Sequence, residues 1–97
     1  MKYEPWFVGS HRTVDRLIDG RRVAICEVYS GAADNLDQAD QIQRLVAAAP
    51  ELLYELQNLV DGLTHLFGPE HAEGVTQAAR DAIAKATCSI HEARTTP

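Results

Sequence analysis

Between Pro50 and the pair Gly68-Pro69 the chain carries a run that leaves few conformations open. Leu52, Leu53, Leu56, Leu59, Val60, Leu63, Leu66 and Phe67 recur at the i, i+3, i+4, i+7 spacing of one helix face. Glu51, Glu55, Asn58, Asp61 and His65 fall on the other side. Gly68-Pro69 is a stop, because glycine takes the left-handed conformation beyond a helix end and proline cannot continue the hydrogen-bond ladder. Pro50 reads as a start. Inside a helix it would remove a hydrogen bond and clash with the carbonyl four residues back, at a cost of about 3 kcal/mol, whereas at the first helical position its missing N–H is harmless. The stretch "RLVAAAPELLYELQNLV", residues 44–60, therefore predicts two helices, about 37–48 and 50–67, with a corner at Ala49-Pro50. Glu51 then lies in the first turn, where a carboxylate complements the helix dipole, and the three alanines let the backbones pass closely.

Upstream of residue 30 the period is different. "TVDRLIDGRRVAICEVYS" reads as two β-strands joined by Asp19-Gly20, a preferred two-residue hairpin turn. Val23, Ile25 and Tyr29 fall on one face of the second strand and Ala24, Cys26 and Val28 on the other, which predicts that this strand is the better buried of the two. "YEPWFVGS" adds a third strand, kept to an edge or a strand start by Pro5, which cannot donate to a ladder. Between sheet and helices, Gly31, Asp34, Asn35 and Asp37 mark a loop that ends in a helix N-cap, after which Ile42, Leu45, Val46 and Ala49 take up helical spacing. A last helix over about residues 70–90 has an apolar stripe of Val75, Ala78, Ala79, Ala82, Ile83 and Ala86, small side chains that fit against the bulky leucine helix.

The fold class is thus α+β: a short N-terminal antiparallel meander of two or three strands, then two or three α-helices. With 97 residues the chain is expected to be a single domain: a hairpin region at about 3–29, a helical region at about 37–90 and a frayed end at 91–97. No run approaches the ~20 apolar residues that cross a bilayer, and the N-terminus lacks the apolar core of a signal peptide. A cytoplasmic protein without membrane attachment is the expectation, with Cys26 and Cys88 as reduced thiols and Cys26 buried mid-strand.

Chemistry-bearing patterns are sparse. "PEHAEG" sets His71 between Glu70 and Glu73, but it lacks the HExxH spacing that brings two imidazoles onto one helix face. Glu70 and Glu73 read better as first-turn carboxylates. Pairing Cys26 with His65 or His91 as nucleophile and base has no local support, and there is no nucleophile elbow, P-loop or dinucleotide fingerprint. Neither an enzyme nor a cofactor is implied. Charge is more informative. Residues 1–25 hold five basic against three acidic side chains, and residues 26–97 hold four basic against eleven acidic. The acidic set Asp34, Asp37, Asp40, Glu51, Glu55 and Asp61 is a candidate surface for a basic protein partner. Arg12, Arg16, Arg21 and Arg22 on the hairpin are an alternative nucleic-acid-binding set, since a two-stranded ribbon fits a major groove. Exposed arginines that guard a sheet edge or pair with carboxylates are the simpler reading of the same residues. The leucine stripe over 52–67 is wide for one helix of a small domain and could extend into a homodimer seam, which keeps a self-assembling structural protein among the alternatives.

The segment Ala39–Val60, "ADQIQRLVAAAPELLYELQNLV", resembles one found in small phage and prophage proteins of unknown function, where a version of "A.NA.LIAAAPELLEAL..L" follows a short β-region and an "A..AIAKAT" stretch comes near the end. The counterparts here run from Arg44 to Leu53 and from Ala79 to Thr87; Asp40-Gln41-Ile42 replaces the usual Asn-Ala, and Tyr54 the usual acidic residue or alanine. The resemblance implies a mobile-element origin and a bacterial host. It carries no catalytic residues, because the matching positions are helix-packing positions. By analogy of setting it suggests a protein that binds a host protein complex, as inhibitors of CRISPR–Cas and other defence systems do.

Overall fold

A computed structural model describes residues 2–87. Strands β1 (Phe7–Val8), β2 (Thr13–Ile18) and β3 (Arg21–Glu27) form one antiparallel meander in the order β1-β2-β3. Helices α1 (Leu36–Ala47) and α2 (Ala49–Thr87) follow. The α+β class and the three-stranded meander read from the sequence are present. Asp19 and Gly20 both have positive φ, 52° and 77°, as a tight turn matched to the twist of its strands requires.

β3 is not the better-buried strand. All seven of its residues are exposed, whereas β2 holds the fully buried Val14 and the buried Asp15. The reason is position: β2 is central, and α1 packs on β1 and β2 rather than on β3. The alternation within β3 also shifts. Val14 pairs with Cys26 but Asp15 pairs with Ala24, so Ile25 is an extra, bulged residue. A bulge moves everything beyond it to the opposite face, so Cys26 shares a face with Val23 instead of with Ala24. Cys26 is exposed, against the expectation of a buried thiol.

Asn35 is the N-cap of α1, its side chain accepting a hydrogen bond from the Gln38 N–H at 2.8 Å. The buried face of this helix is Ala39 and Gln43, with Val46 half-buried, while Ile42, Leu45 and Ala49 are exposed. The expected apolar face is therefore rotated, because Gln43 reaches the sheet backbone and turns the helix toward it. The corner falls one residue earlier than expected. Ala48 closes α1 by donating its N–H to Arg44 O at 3.0 Å and opens α2 by accepting from the Leu52 N–H at 2.9 Å. Pro50 is thus the second helical residue, a position where a missing N–H costs no intrahelical hydrogen bond, and Ala49 keeps helical dihedrals despite preceding it.

α2 is broken once, at Gly68, where φ 81° and ψ 155° leave the helical region and Pro69 restarts it. The chain groups into two compact units, Met1–Leu52 and Leu53–Pro97. The first is the sheet with α1, centred on Val14, Ala39 and Gln43. The second comprises the two arms of α2, at 53–67 and 69–87, with Val60, Ala72 and Thr76 buried. Cys88, His91 and the end expected to fray lie outside the described residues. Among the described residues no helix is long and apolar enough to cross a membrane.

Candidate functional site

In the first unit the connection between β1 and β2 is the most heavily determined part of the chain. His11 and Arg12 both take positive φ, 56° and 60°, a conformation costly for residues with a Cβ. Several bonds hold it. The Gln43 amide donates to Gly9 O at 3.0 Å and to Thr13 O at 2.8 Å, Gly9 N donates to Thr13 O, and Val28 N donates to Arg12 O. Arg12 Nε lies 3.2 Å from Asp40 Oδ1 on α1. Gly9 permits the close passage, since a Cβ there would sit 2.2 Å from Thr13 Oγ1 and 2.3 Å from Asp15 Oδ2.

The four hairpin arginines do not form one free basic patch. Arg12 is paired with Asp40. Arg16 pairs with Glu4, which also accepts from the Trp6 indole N–H at 2.8 Å. The Trp6 bond first and the Arg16 guanidinium second hold the Glu4 carboxyl below its ordinary range. The Arg22 guanidinium lies 4.7 Å from the centre of the Phe7 ring and reaches Val8 O at 3.5 Å. Arg21 is exposed, opposite Ile18. Around them the hairpin leaves Leu17, Ile18, Val23 and Ile25 exposed. Ile18 and Val23 share one face of the ribbon with Arg16 and Arg21, Leu17 lies on the other face beside Arg22, and Ile25 is the bulged residue.

The acidic set is dispersed. Asp34 and Asp37 flank the α1 cap, with Asp34 bonded to Gln38, and Asp40 is half-buried against Arg12. Glu51 and Glu55 are exposed on α2. Asp61 lines a groove of about 460 Å³ in the second unit, together with Tyr54, Gln57 and Asn58 from one arm and Arg80 and Ile83 from the other. Arg80 is aimed there by Gln77 Oε1 at 2.9 Å and Glu73 O at 3.2 Å. Sequence reasoning passed over Gln43, Arg80 and the exposed apolar side chains of the hairpin. Gln43 carried a signal, four residues after Ala39 and three before Val46 on one helix face. The other two depend on which surfaces the fold leaves uncovered. Among the described residues no three His, Cys, Asp or Glu side chains gather closely enough to hold a metal ion, and His71, Glu70 and Glu73 are all exposed.

Compared with known proteins, residues 3–90 match the family described as Salmonella phage P22 protein Y8K6. No curated protein and no solved structure matches the chain.

Proposed function

The chain belongs to the family of Salmonella phage P22 protein Y8K6, and from that premise we propose that it is a non-enzymatic phage accessory protein that acts by binding another protein. The observation that carries this reading is the β2–β3 hairpin. Ile18 and Val23 lie exposed on one face of this short ribbon, with Ile25 exposed at the bulge and Leu17 on the other face, and β3 is an edge strand among the described residues. Grouped exposed apolar residues with a polar rim are the mark of a docking surface, and an open strand edge can add main-chain hydrogen bonds. The arginines around these side chains are mostly engaged within the chain, which favours a protein over a polyanion as the occupant.

The narrower role we assign is inhibition of a host defence complex of the CRISPR–Cas kind, in the cytoplasm of the bacterial host. Its support is the phage family together with the exposed apolar side chains of the hairpin. Expression in hosts with and without an active defence system, followed by phage plating, tests it. Protection of the phage only in defence-positive hosts, lost on Ile18→Asp or Ile25→Asp, is expected. Equal plating in every host, together with no partner recovered from host lysate, would sink both the role and the binding reading.

A further inference from the structure

The second unit carries a surface that the hairpin reading does not use. Leu56, Leu59, Leu63 and Leu66 follow one another at intervals of three, four and three residues. That is the heptad seam of a helix that packs against another by knobs-into-holes contact. Leu59 and Leu66 are 58% and 74% exposed, and Leu56 and Leu63 half-buried, so the seam is turned away from the buried Val60 line. The second arm repeats the pattern with small residues. Val75, Ala79, Ala82 and Ala86 are spaced by four, three and four, and Val75 is 74% exposed.

Both stripes belong to one face. At about 100° of rotation per residue, Val60 and Ile83 of the groove lie on the buried lines of the two arms, the other groove-lining residues lie to one side of those lines, and the stripes lie to the other. The groove is a single face of the two arms, so the stripes together form the opposite face. That face runs about 15 Å along the leucine seam and about 20 Å across two adjacent helices.

We propose that this face is covered by a second copy of the chain, forming a four-helix bundle whose two-fold axis runs parallel to the helices. With that axis, the leucine stripe of each copy lies on the alanine stripe of the other, and bulky side chains meet small ones at every layer. A perpendicular axis would put leucine on leucine and alanine on alanine, with unequal gaps across one interface. Charge supports the same choice. Glu55 flanks the leucine stripe and Lys85 flanks the alanine stripe, both on their outer sides and both at the end remote from Gly68. The parallel axis brings Glu55 of each copy beside the partner's Lys85, twice by symmetry.

Sedimentation equilibrium of the full chain tests this without reference to any host partner, so its outcome is separate from that of the binding function. A dimer is expected at about 100 μM, and Leu59→Glu is expected to make it monomeric with the far-UV helical signal retained. If that variant loses helix, Leu66→Glu at the more exposed position takes its place. Glu55→Lys or Lys85→Glu alone should weaken the dimer roughly two- to tenfold, and the two together should restore it. A wild-type monomer overturns the dimer, as does a dimer indifferent to both leucine substitutions. A dimer that the charge reversal does not rescue overturns the parallel axis.

Discussion

Gln43 shows how one residue can set an interface. It is only 5% exposed, and its amide bridges two main-chain carbonyls that belong to opposite sides of the β1–β2 connection. Gln43→Ala leaves those carbonyls underpaired and opens a small void, so unfolding by urea should report a loss of about 2–3 kcal/mol. Gln43→Glu tests the chemistry, since a carboxylate cannot donate to a carbonyl, and it should be no better than alanine at neutral pH. Glu4 is a second local device. Its carboxyl is held below the ordinary value of 4.5, first by the Trp6 indole and then by Arg16. Because the folded value is the lower one, whatever stability the contact adds is present above the ordinary range and disappears as pH falls through the folded value. The chain has a single tryptophan, so its emission should titrate with a midpoint below 4.5, and Glu4→Gln should abolish that transition. The arginine partner of Glu4 lies 12 residues away on β2; the Gln43 bridge is longer in sequence still, with acceptors that are backbone atoms 30 and 34 residues away.

At the scale of elements, three pieces of local punctuation in the sequence appear in the structure, while the corner expected at Ala49-Pro50 falls one residue earlier. Asp19-Gly20 turns the hairpin, Asn35 caps α1, and Gly68-Pro69 breaks α2, each through dihedral or capping preferences that do not depend on distant residues. Two of the glycines of α2, Gly68 and Gly74, should respond in opposite ways to alanine. Gly68 sits at φ 81°, so Gly68→Ala should cost about 1–2 kcal/mol. Gly74 has helical dihedrals and nothing within 4 Å of the position its Cβ would take. Gly74→Ala should therefore raise stability by about 0.5–1 kcal/mol through backbone entropy alone. Thermal unfolding of the pair gives the comparison directly. The errors over which face is buried have one origin. Period-two and period-3.6 patterns identify an apolar face, but a bulge at Ile25 and the pull of Gln43 decide which residues of that face meet the rest of the chain.

For the whole molecule, the apolar residues outnumber the places the fold offers to bury them. Val14, Ala39, Val60 and Ala72 are the buried hydrophobic residues among those described, while Leu17, Ile18, Val23, Ile25, Leu59, Leu66 and Val75 remain exposed. Substituting the exposed hairpin residues should consequently leave the fold largely intact. Ile18→Asp and Ile25→Asp should each change unfolding free energy by no more than about 1 kcal/mol, while removing any function that depends on them. A loss of several kcal/mol would show instead that these side chains serve the core. Sequence alone determined the order and kind of elements, the turn, the cap and the helix break, because each follows from backbone sterics and local hydrogen bonding. It also pointed to a phage family through the helical segment, and the family match over residues 3–90 agrees with that origin. Only the tertiary structure decided that β2 rather than β3 is the better-buried strand, that Cys26 is exposed, and which groups the arginines engage. Those facts depend on which face α1 covers, a competition among surfaces far apart in the chain that no local pattern records.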